Sequence, residues 1–348
     1  MKPIVRVAVI GGGAIGQRRH LPEYAANPNA EIAGVFDTDR QRAQELCRQY
    51  GGRAYESMEE VFADETVDAV SVCSPNVTHA QASIRALEAG KHVLCEKPMA
   101  LSLEESRRML EAEKRSGKTL MLGHNQRLIR AHLKAHELLH QGAIGDLLFF
   151  QCNFKHAGPE SWSIDAGNHT WFFKKDQANF GVMGDLGAHK IDLIRFLTDS
   201  EIRNVFTTLT TLDKRDETGG YIELEDNAVC LFNMENGLPG IMHFSWTNYG
   251  AEDNGSTIYG SKGVMKIFGD YADDIVLEMR DGTQVKYTVG DISTNHHQLK
   301  SGVIDEFIAS IVEARRPIVT GIDGHNTLAV IETAMKSAKV GQWMEIAY

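Results

Sequence analysis

Two short polar clusters in this sequence contain residue types that can hold and move protons. The first is Glu96–Pro98, in which Lys97 stands between a carboxylate and a proline. A lysine held on a stiff backbone can bind or polarise an oxygen atom of a small molecule. The second runs from Gly184 to Asp192 and contains His189, whose ordinary pKa suits proton transfer near neutral pH. Together the clusters predict acid–base chemistry on an oxygen-bearing substrate.

Carboxylates accompany His189 at a helical spacing. If a helix begins at Asp185, then Asp185, His189 and Asp192 share one face at positions i, i+4 and i+7. Nearby carboxylates orient an imidazole ring and favour its charged form. Three alternatives stay open at this point: Lys97 as a surface loop residue, His189 as a structural histidine, and Asp192 as a salt-bridge partner.

A glycine-rich turn near the N-terminus is suited to a dinucleotide. Residues Gly11–Gly16 have the form G-x-G-x-x-G, after an apolar run and before a helix-like segment. The first glycine permits a tight turn, the second lets the backbone approach a pyrophosphate, and the third lets helix pack on strand. Free N–H groups of the helix would then bind the phosphates. The predicted cofactor contacts here are Gly11, Gly13, Ala14, Ile15 and Gly16.

An acidic residue indicates which dinucleotide is bound. Asp37 ends the second strand-like run, about 20 residues after the glycines, where a carboxylate accepts hydrogen bonds from ribose hydroxyls. The same charge repels a 2′-phosphate, so the sequence favours NAD over NADP. The neighbouring Arg40 is the residue that would allow NADP to be used as well. The alternative for Asp37 is helix capping, for which Asp39 competes.

These residues lie in a region, residues 1–123, that alternates apolar runs with helix-length segments. Parallel strands are predicted at Ile4–Ile10, Glu31–Phe36, Ala69–Cys73, His92–Cys95 and Thr119–Leu122. Helices are predicted at Ile15–Asn27, Asp39–Tyr50, Thr78–Ala89 and Leu103–Ser116. Capping residues at Ser102 and Gly117 delimit the last of these. The alternation predicts βαβ units and a doubly wound sheet of the α/β class.

The pattern changes in residues 124–348, which we predict to form a second, α+β domain with a large, open, mostly antiparallel sheet. Its strands are predicted at Leu147–Phe154, Val205–Leu212, Asn227–Asn233, Leu238–Thr247, Ser256–Tyr259, Gly263–Phe268, Ile275–Met279 and Thr283–Val289. A helix is predicted at Leu128–His140, and closing helices, which could pack back on the first domain, at Leu299–Ala314 and Gly324–Val340.

Composition argues against several classes of protein. The 348 residues include 36 Lys and Arg against 47 Asp and Glu, a net charge of −11, which argues against a nucleic-acid partner. No apolar run reaches the length of a membrane span. The five cysteines form no C-x-x-C pair, which favours free thiols in a reducing compartment. We therefore expect a cytoplasmic protein without nucleic-acid or membrane partners.

Taken together, the motifs resemble those of the Gfo/Idh/MocA oxidoreductases, the glucose–fructose oxidoreductase and inositol dehydrogenase type. The matching residues are Gly11–Gly16, Asp37, Ser74–Asn76, His79, Glu96–Pro98, the pattern Asp185-x-Gly187-x-His189-x-x-Asp192, Asp305–Ile308 and Gly321–Gly324. The resemblance implies a Rossmann domain that binds NAD and a second domain whose open sheet forms a homodimer or homotetramer interface. It also implies a small carbohydrate or cyclitol as substrate.

The resemblance also implies roles for single residues. Lys97 contacts the reacting hydroxyl, His189 is the acid/base, and Asp185 binds the substrate and supports that pair. The residues placed beside the cofactor are Ser74, Asn76, His79, Glu96 and Asn125, with Arg127 beside the substrate and a cis peptide bond between Lys97 and Pro98. One departure is Asn179-Phe180-Gly181, where the family usually has three glycines, which would reshape the pocket wall.

Two further groups of residues are less specific. The loop of residues 155–175 places aromatic side chains beside polar ones, as a sugar ring requires, and we predict His169 and Trp171 as substrate contacts. Core or interface packing is the alternative. His132, His136 and His140 share one helix face, but without cysteines or a second ligand cluster we interpret them as a solvated or interface face and predict no metal.

These features predict an NAD-dependent dehydrogenase that oxidises a ring hydroxyl of a sugar, sugar derivative or cyclitol. One alternative is a glycosidase that retains NAD and oxidises, eliminates and reduces without net redox change. Another is a non-catalytic NAD-binding regulator, which would not need Lys97, Asp185 and His189 together.

Overall fold

Six parallel strands form the first sheet in the computed structural model, which describes residues 4–269, 273–290 and 300–348. They are β1 Val5–Ile10, β2 Ala30–Phe36, β3 Arg53–Ala54, β4 Ala69–Val72, β5 His92–Cys95 and β6 Leu120–Leu122. Their order is β3-β2-β1-β4-β5-β6, the doubly wound arrangement that the sequence predicts. Residues of β4 are buried along the whole strand because helices cover both faces of the sheet.

Five helices of this described region connect the strands. They are α1 Leu21–Ala26, α2 Arg40–Tyr50, α3 Met58–Ala63, α4 Asn76–Glu88 and α5 Leu103–Ser116. Helix α5 has the predicted bounds because the Ser102 side chain accepts a hydrogen bond from the Glu105 N–H and Gly117 ends the helix in the left-handed conformation. Strand β3 and helix α3 were not predicted, although Ser57 caps α3 in the same way.

The first predicted helix, Ile15–Asn27, is not a single α-helix. Residues Gly16–His20 form a π-helical turn, and α1 begins only after it. The turn places Arg19 and His20 beside the buried carboxylate of Glu96, at 3.7 and 3.0 Å. π-Helical turns occur mostly as single insertions near functional sites, and sequence periodicity does not reveal them.

The second sheet, counted over the described residues, has nine strands. They are β7 Leu147–Lys155, β8 Ile202–Thr210, β9 Asn227–Met234, β10 Pro239–Ser245, β11 Ser256–Gly260, β12 Gly263–Ile267, β13 Ile275–Met279, β14 Gln284–Tyr287 and β15 Met344–Glu345. Their order is β14-β13-β12-β11-β7-β10-β9-β8-β15. Only the β7–β10 pair among these is parallel, so the predicted mostly antiparallel sheet is confirmed.

One face of this sheet is covered by helices and the other is open. The remaining helices are α6 Arg130–His140, α7 Lys175–Ala178, α8 Ala188–Thr198, α9 Val303–Val312 and α10 Gly321–Val340. On β9, Cys230 and Phe232 point to the covered face and are buried, whereas Val229 and Leu231 are 38% and 40% exposed. This alternation is typical of an antiparallel sheet with one solvated face.

The closing helices contact both domains. Helix α9 packs on α1 and β1, while α10 packs on α5 and β6 and also on β8. Leu299, where we predicted the first closing helix to begin, lies outside the described residues, and α9 begins at Val303. Helix α10 begins three residues earlier than predicted because Thr320 and Asp323 form a capping box.

Two predictions from composition can be compared with this structure. All five cysteines are free, and four of them are buried, as the sequence predicts. Among the described residues, no helix combines the length and the apolar character needed to cross a membrane.

Candidate active site

A cleft of about 260 Å³ lies at the carboxyl ends of β1, β2, β4 and β5, where ligands bind to doubly wound sheets. Of the predicted site residues, the cleft is lined by Gly11, Gly13, Ala14, Ile15, Asp37, Ser74, Asn76, His79, Glu96, Lys97, Asn125, Trp171, Asp185 and His189. Four others do not line it: Gly16, Arg40, Arg127 and His169. The fold therefore brings together most of a set that spans 179 positions of the sequence.

The three glycines of the turn act in different ways. Gly11 has a φ of 98°, and a Cβ there would lie 2.6 Å from the Ser74 backbone nitrogen, so β1 and the end of β4 approach too closely for a side chain. A Cβ on Gly13 would meet nothing within 4 Å, which leaves open space over the turn. A Cβ on Gly16 would lie 2.5 Å from the Gly11 carbonyl oxygen. Gly16 therefore lets the helical turn approach β1 and does not line the cleft.

Asp37 is buried at the end of β2, with its carboxylate held by the glycine-rich turn. Its Oδ2 accepts a hydrogen bond from the Gly12 N–H at 2.7 Å, and its Oδ1 lies 3.2 Å from Arg42 Nη1. Arg40 points away and pairs with Glu56 on the surface, so it does not reach the cleft. The arginine beside Asp37 is Arg42, which the sequence analysis missed because both arginines lie in the first turn of α2.

The segment after β4 is fixed by its own side chains. The His79 ring lies 2.8 Å from the carbonyl oxygens of both Pro98 and Ser74, so it ties two loops of the cleft together. Asn76 Nδ2 donates to the Ala178 carbonyl at 3.0 Å, which joins this segment to α7 of the second domain. These residues line the cleft while they also set the positions of its walls.

Glu96 is an anionic group at the base of the cleft. Burial works to raise its pKa, but the hydrogen bond from His20 and the charges of Arg19 and Lys97 lower it to about 2. A Cβ on Gly123 would lie 2.8 Å from the Glu96 carboxyl carbon, so the end of β6 must approach without a side chain. The carboxylate thus offsets part of the positive charge that Arg19 and Lys97 place here.

Lys97 and Asp185 form an ion pair that joins the two domains. Lys97 Nζ donates to the Asp185 backbone oxygen and to its Oδ1, both at 2.9 Å. The other carboxylate oxygen accepts from Trp246 Nε1 at 3.0 Å, and His156 Nε2 lies 3.9 Å away. Burial works to raise the pKa of Asp185, but Lys97 and His156 outweigh it and the net shift is downward. The Lys97–Pro98 peptide is cis, as the resemblance implies.

His189 lies at the start of α8 and faces the cleft beside this pair. Asp185 itself lies in a second π-helical turn, Met183–Gly187, so the predicted α-helix begins only at Ala188. Burial, followed by the positive charge of Lys97, holds the pKa of His189 well below its usual value of 6.5. Its Nδ1 is buried without a hydrogen-bond partner among the described residues. At neutral pH the ring is therefore neutral and able to accept a proton.

Arg127 does not lie beside the substrate position that we predicted for it. Its Nε and Nη2 donate to the two carboxylate oxygens of Asp192, both at 2.7 Å, and Asp323 lies 3.0 Å from Nη2. Asp192 is fully buried in this cluster, so the salt-bridge alternative for it is correct. The guanidinium turns away from the cleft because the buried carboxylate of Asp192 and the partly buried carboxylate of Asp323 bind it.

Aromatic side chains form the outer wall of the cleft. Trp171 stacks on Phe172 with ring centroids 3.9 Å apart, and Trp162 meets Phe172 edge-on at 5.1 Å. All three line the cleft, together with Phe154. His169, which we predicted as a substrate contact, is exposed and lies outside the lining. We predicted His169 because it is near Asp185 in the sequence. The path of the loop, and not this distance, determines which side chains face the cleft.

Three residues that line the cleft each have a buried polar atom without a partner among the described residues. Among the described residues, Asn125 Oδ1, Trp162 Nε1 and His189 Nδ1 are buried without a hydrogen bond. Unsatisfied buried polar atoms are costly, so a bound group that completes these hydrogen bonds is favoured. With the open space over Gly13 and the carboxylate of Asp37, the residues present suit a dinucleotide and a hydroxylated substrate.

Comparison with known proteins agrees with this geometry. Residues 5–124 match the model of an oxidoreductase family with an NAD-binding Rossmann fold, and residues 132–266 match the GFO/IDH/MocA C-terminal domain. The chain is 27% identical to myo-inositol 2-dehydrogenase of Thermotoga maritima, with 96% of each chain covered. It is 24% identical to levoglucosan dehydrogenase of Pseudarthrobacter phenanthrenivorans, with 98% of each chain covered.

A solved structure agrees over the whole chain. Levoglucosan dehydrogenase in complex with NADH and levoglucosan superimposes with a TM-score of 0.89 at 23% identity, covering 99% of this chain and 100% of that one. At this identity the likeness is one of fold. With both domains matched in order by their family models, the chain belongs to the Gfo/Idh/MocA family of NAD-binding oxidoreductases.

Proposed function

We propose that this protein is an NAD-dependent dehydrogenase that oxidises a ring hydroxyl of a sugar, a sugar derivative or a cyclitol. The observation that supports it most directly is the meeting of Lys97, Asp185 and His189 at one point of the cleft. The three groups supply a cation, a fixed anion and a neutral base, which are what the oxidation of an alcohol needs.

His189 acts as the base in this proposal. Because burial and the charge of Lys97 lower its pKa, the imidazole remains unprotonated at neutral pH and accepts the hydroxyl proton of the substrate. Proton uptake places a positive charge on the ring. In the reverse direction the protonated ring returns the proton to the oxygen.

Lys97 stabilises the negative charge that develops on the oxygen as the proton leaves. Its ammonium group is held by two hydrogen bonds to Asp185, so little reorganisation is required when the charge appears. Trp246 in turn fixes the Asp185 carboxylate from the opposite side. We therefore assign Asp185 and Trp246 to orienting the lysine.

The dinucleotide lies over the glycine-rich turn in this proposal. When bound, NAD supplies the acceptor for a hydride from the carbon that bears the hydroxyl. The backbone at Gly13 leaves room for the phosphates, and Asp37 accepts hydrogen bonds from the ribose. Asn125, whose side-chain oxygen lacks a partner, offers an acceptor deeper in the cleft.

The aromatic wall supports a cyclic polyol as substrate. Trp162, Trp171 and Phe172 offer flat apolar surfaces to the C–H face of a ring. The unpartnered Nε1 of Trp162 adds a hydrogen-bond donor for a hydroxyl beside that face. The similarity to inositol and levoglucosan dehydrogenases over whole chains points to the same class of substrate.

We also propose that the open face of the second sheet joins copies of this chain as a homodimer or homotetramer. Val229, Leu231 and Tyr259 are 38%, 40% and 37% exposed on the open face of that sheet. Apolar side chains grouped on a regular surface favour association. Light scattering of the purified protein measures the mass, and a Leu231→Lys variant is expected to lower it to that of one chain.

The experiment that tests the function is NADH formation from NAD⁺ with a panel of aldoses, anhydrosugars, glycosides and inositols. Net NADH with one type of ring supports the dehydrogenase and names the substrate class. Cleavage of a glycoside without net NADH would instead support the redox-neutral glycosidase. Tight NAD binding without turnover of any compound would contradict the assignment of an enzyme of either kind.

A further inference from the structure

Three side chains of types that can bind metals meet on the surface, outside the cleft. His136 and His140 lie one turn apart on α6, and Asp199 follows the last residue of α8, 63 positions after His136. His136 Nε2 lies 3.0 Å from His140 Nε2 and 3.2 Å from Asp199 Oδ1, and His140 Nε2 also contacts Asp199 Oδ2. The sequence interpretation of a solvated or interface face overlooked the aspartate, because it is distant along the chain.

Two of the three separations agree with those of ligands on one metal ion, and the His140–Asp199 contact is shorter, so an ion would move these two side chains apart. Zinc binds histidine nitrogen and carboxylate oxygen at about 2.0–2.2 Å, so the ligand atoms of a tetrahedral site lie about 3.3 Å apart. The distances of 3.0 and 3.2 Å around His136 Nε2 are close to that value. The 3.0 Å contact between the two Nε2 atoms is also the length of an N–H···N hydrogen bond in which one ring donates to the other, and a metal ion would take the place of that proton.

The fold holds two of these groups in place. The His136 ring stacks on Phe196 with centroids 4.2 Å apart and planes 12° from parallel, which fixes its orientation. Asp199 ends α8 in the left-handed conformation with a φ of 43°, which aspartate tolerates better than most residues. Because these positions are set by packing and backbone, binding an ion would order little else.

We propose that His136, His140 and Asp199 bind one divalent transition-metal ion of the zinc class, with water completing its coordination. Two nitrogens and a carboxylate suit zinc, nickel or copper, whereas magnesium and calcium prefer oxygen ligands alone. The side chains are 25%, 55% and 51% exposed, which leaves room for water.

The ion joins the ends of two helices that support the catalytic cleft. Helix α6 ends at His140, and α8 ends just before Asp199. His189 lies in the first turn of α8, 10 residues before Asp199, or about 15 Å along the helix axis. The proposed ion is therefore structural. It stabilises the contact between α6 and α8 and has no part in hydride transfer.

The test uses the full chain without a histidine tag, stripped of metal by a chelator. Calorimetric titration with zinc chloride is expected to give one ion per chain, with a dissociation constant on the order of 1 µM or lower. Thermal unfolding should move to higher temperature when zinc is added, because binding stabilises the folded state. Substitution of cobalt should give the visible absorption bands of a tetrahedral ion.

Variants connect the binding to the three residues. His140→Ala and Asp199→Asn should each weaken zinc binding at least tenfold and remove the thermal shift. Glu137→Gln is the matched control, since Glu137 lies on α6 beside His136 but pairs with Lys134 and Gln141. Wild-type binding in either ligand variant, or binding only at millimolar zinc, would overturn the proposal.

Discussion

Replacing Asp192 by asparagine should destabilise the protein substantially without acting on the substrate. The side chain is fully buried and accepts two hydrogen bonds of 2.7 Å from Arg127. Removing one partner of a buried ion pair costs about 3–5 kcal/mol, because the other charge remains buried and unpaired. Asp323 stays 3.0 Å from the guanidinium and compensates in part, so we expect about 3 kcal/mol, at the lower end of that range.

Thermal unfolding measures this loss. At about 2.1 cal/mol/K per residue, the 348 residues give an unfolding entropy of roughly 0.7 kcal/mol/K, so a loss of 3 kcal/mol lowers Tm by about 4 °C. The matched control is Glu56→Gln, which breaks the exposed pair with Arg40 and should cost less than about 1 kcal/mol. An unchanged Tm in Asp192→Asn with a raised KM for the substrate would refute the reasoning and return Arg127 to the substrate site.

Three further predictions concern the cleft. The pKa of His189 lies well below 6.5, so kcat/KM for oxidation should be retained at pH 6. It should be lost only as the pH falls through that lower pKa. A loss of kcat/KM centred above pH 6.5 would contradict this. Asp37→Ser should raise KM for NAD by about 10–100-fold, since hydrogen bonds to a charged group contribute about 1.5–3 kcal/mol, and KM for NADP should fall. Trp246→Phe should lower kcat/KM by about tenfold or more through the loss of its bond to Asp185, with KM for NAD unchanged.

Local signals in the sequence were sufficient for much of the first domain. Helix α5 has its predicted bounds because a serine and a glycine cap it, and β5 is also as predicted. The strands of the doubly wound sheet are apolar on both faces, so their order along the chain predicts the architecture. The π-helical turns at Gly16–His20 and Met183–Gly187 were missed, since contacts distant in sequence, not local periodicity, determine them.

The candidate site could be predicted where motifs fix residues on the backbone, and less well elsewhere. Lys97 and His189 stand at the ends of regular elements, so their meeting follows from the fold. Arg127 was misplaced because its partly buried partner Asp323 belongs to a closing helix nearly 200 residues later. Trp162 lines the cleft where His169 does not, because the loop between β7 and α7 has no period from which inward positions can be predicted.

The most direct test of the central claim is turnover by Lys97→Met, measured with the substrate that the panel identifies. Electrostatic stabilisation of a developing charge typically contributes about 10²–10³-fold, so kcat should fall by that factor while the affinity for NAD stays near wild type. The Tm should fall by a few degrees, because the buried Asp185 carboxylate loses its partner. Lys266→Met, which changes a partly exposed lysine paired with Glu278, is the matched control and should retain full activity. Near wild-type turnover by Lys97→Met would contradict the account, because the oxygen would then lose its proton without the charge that Lys97 supplies.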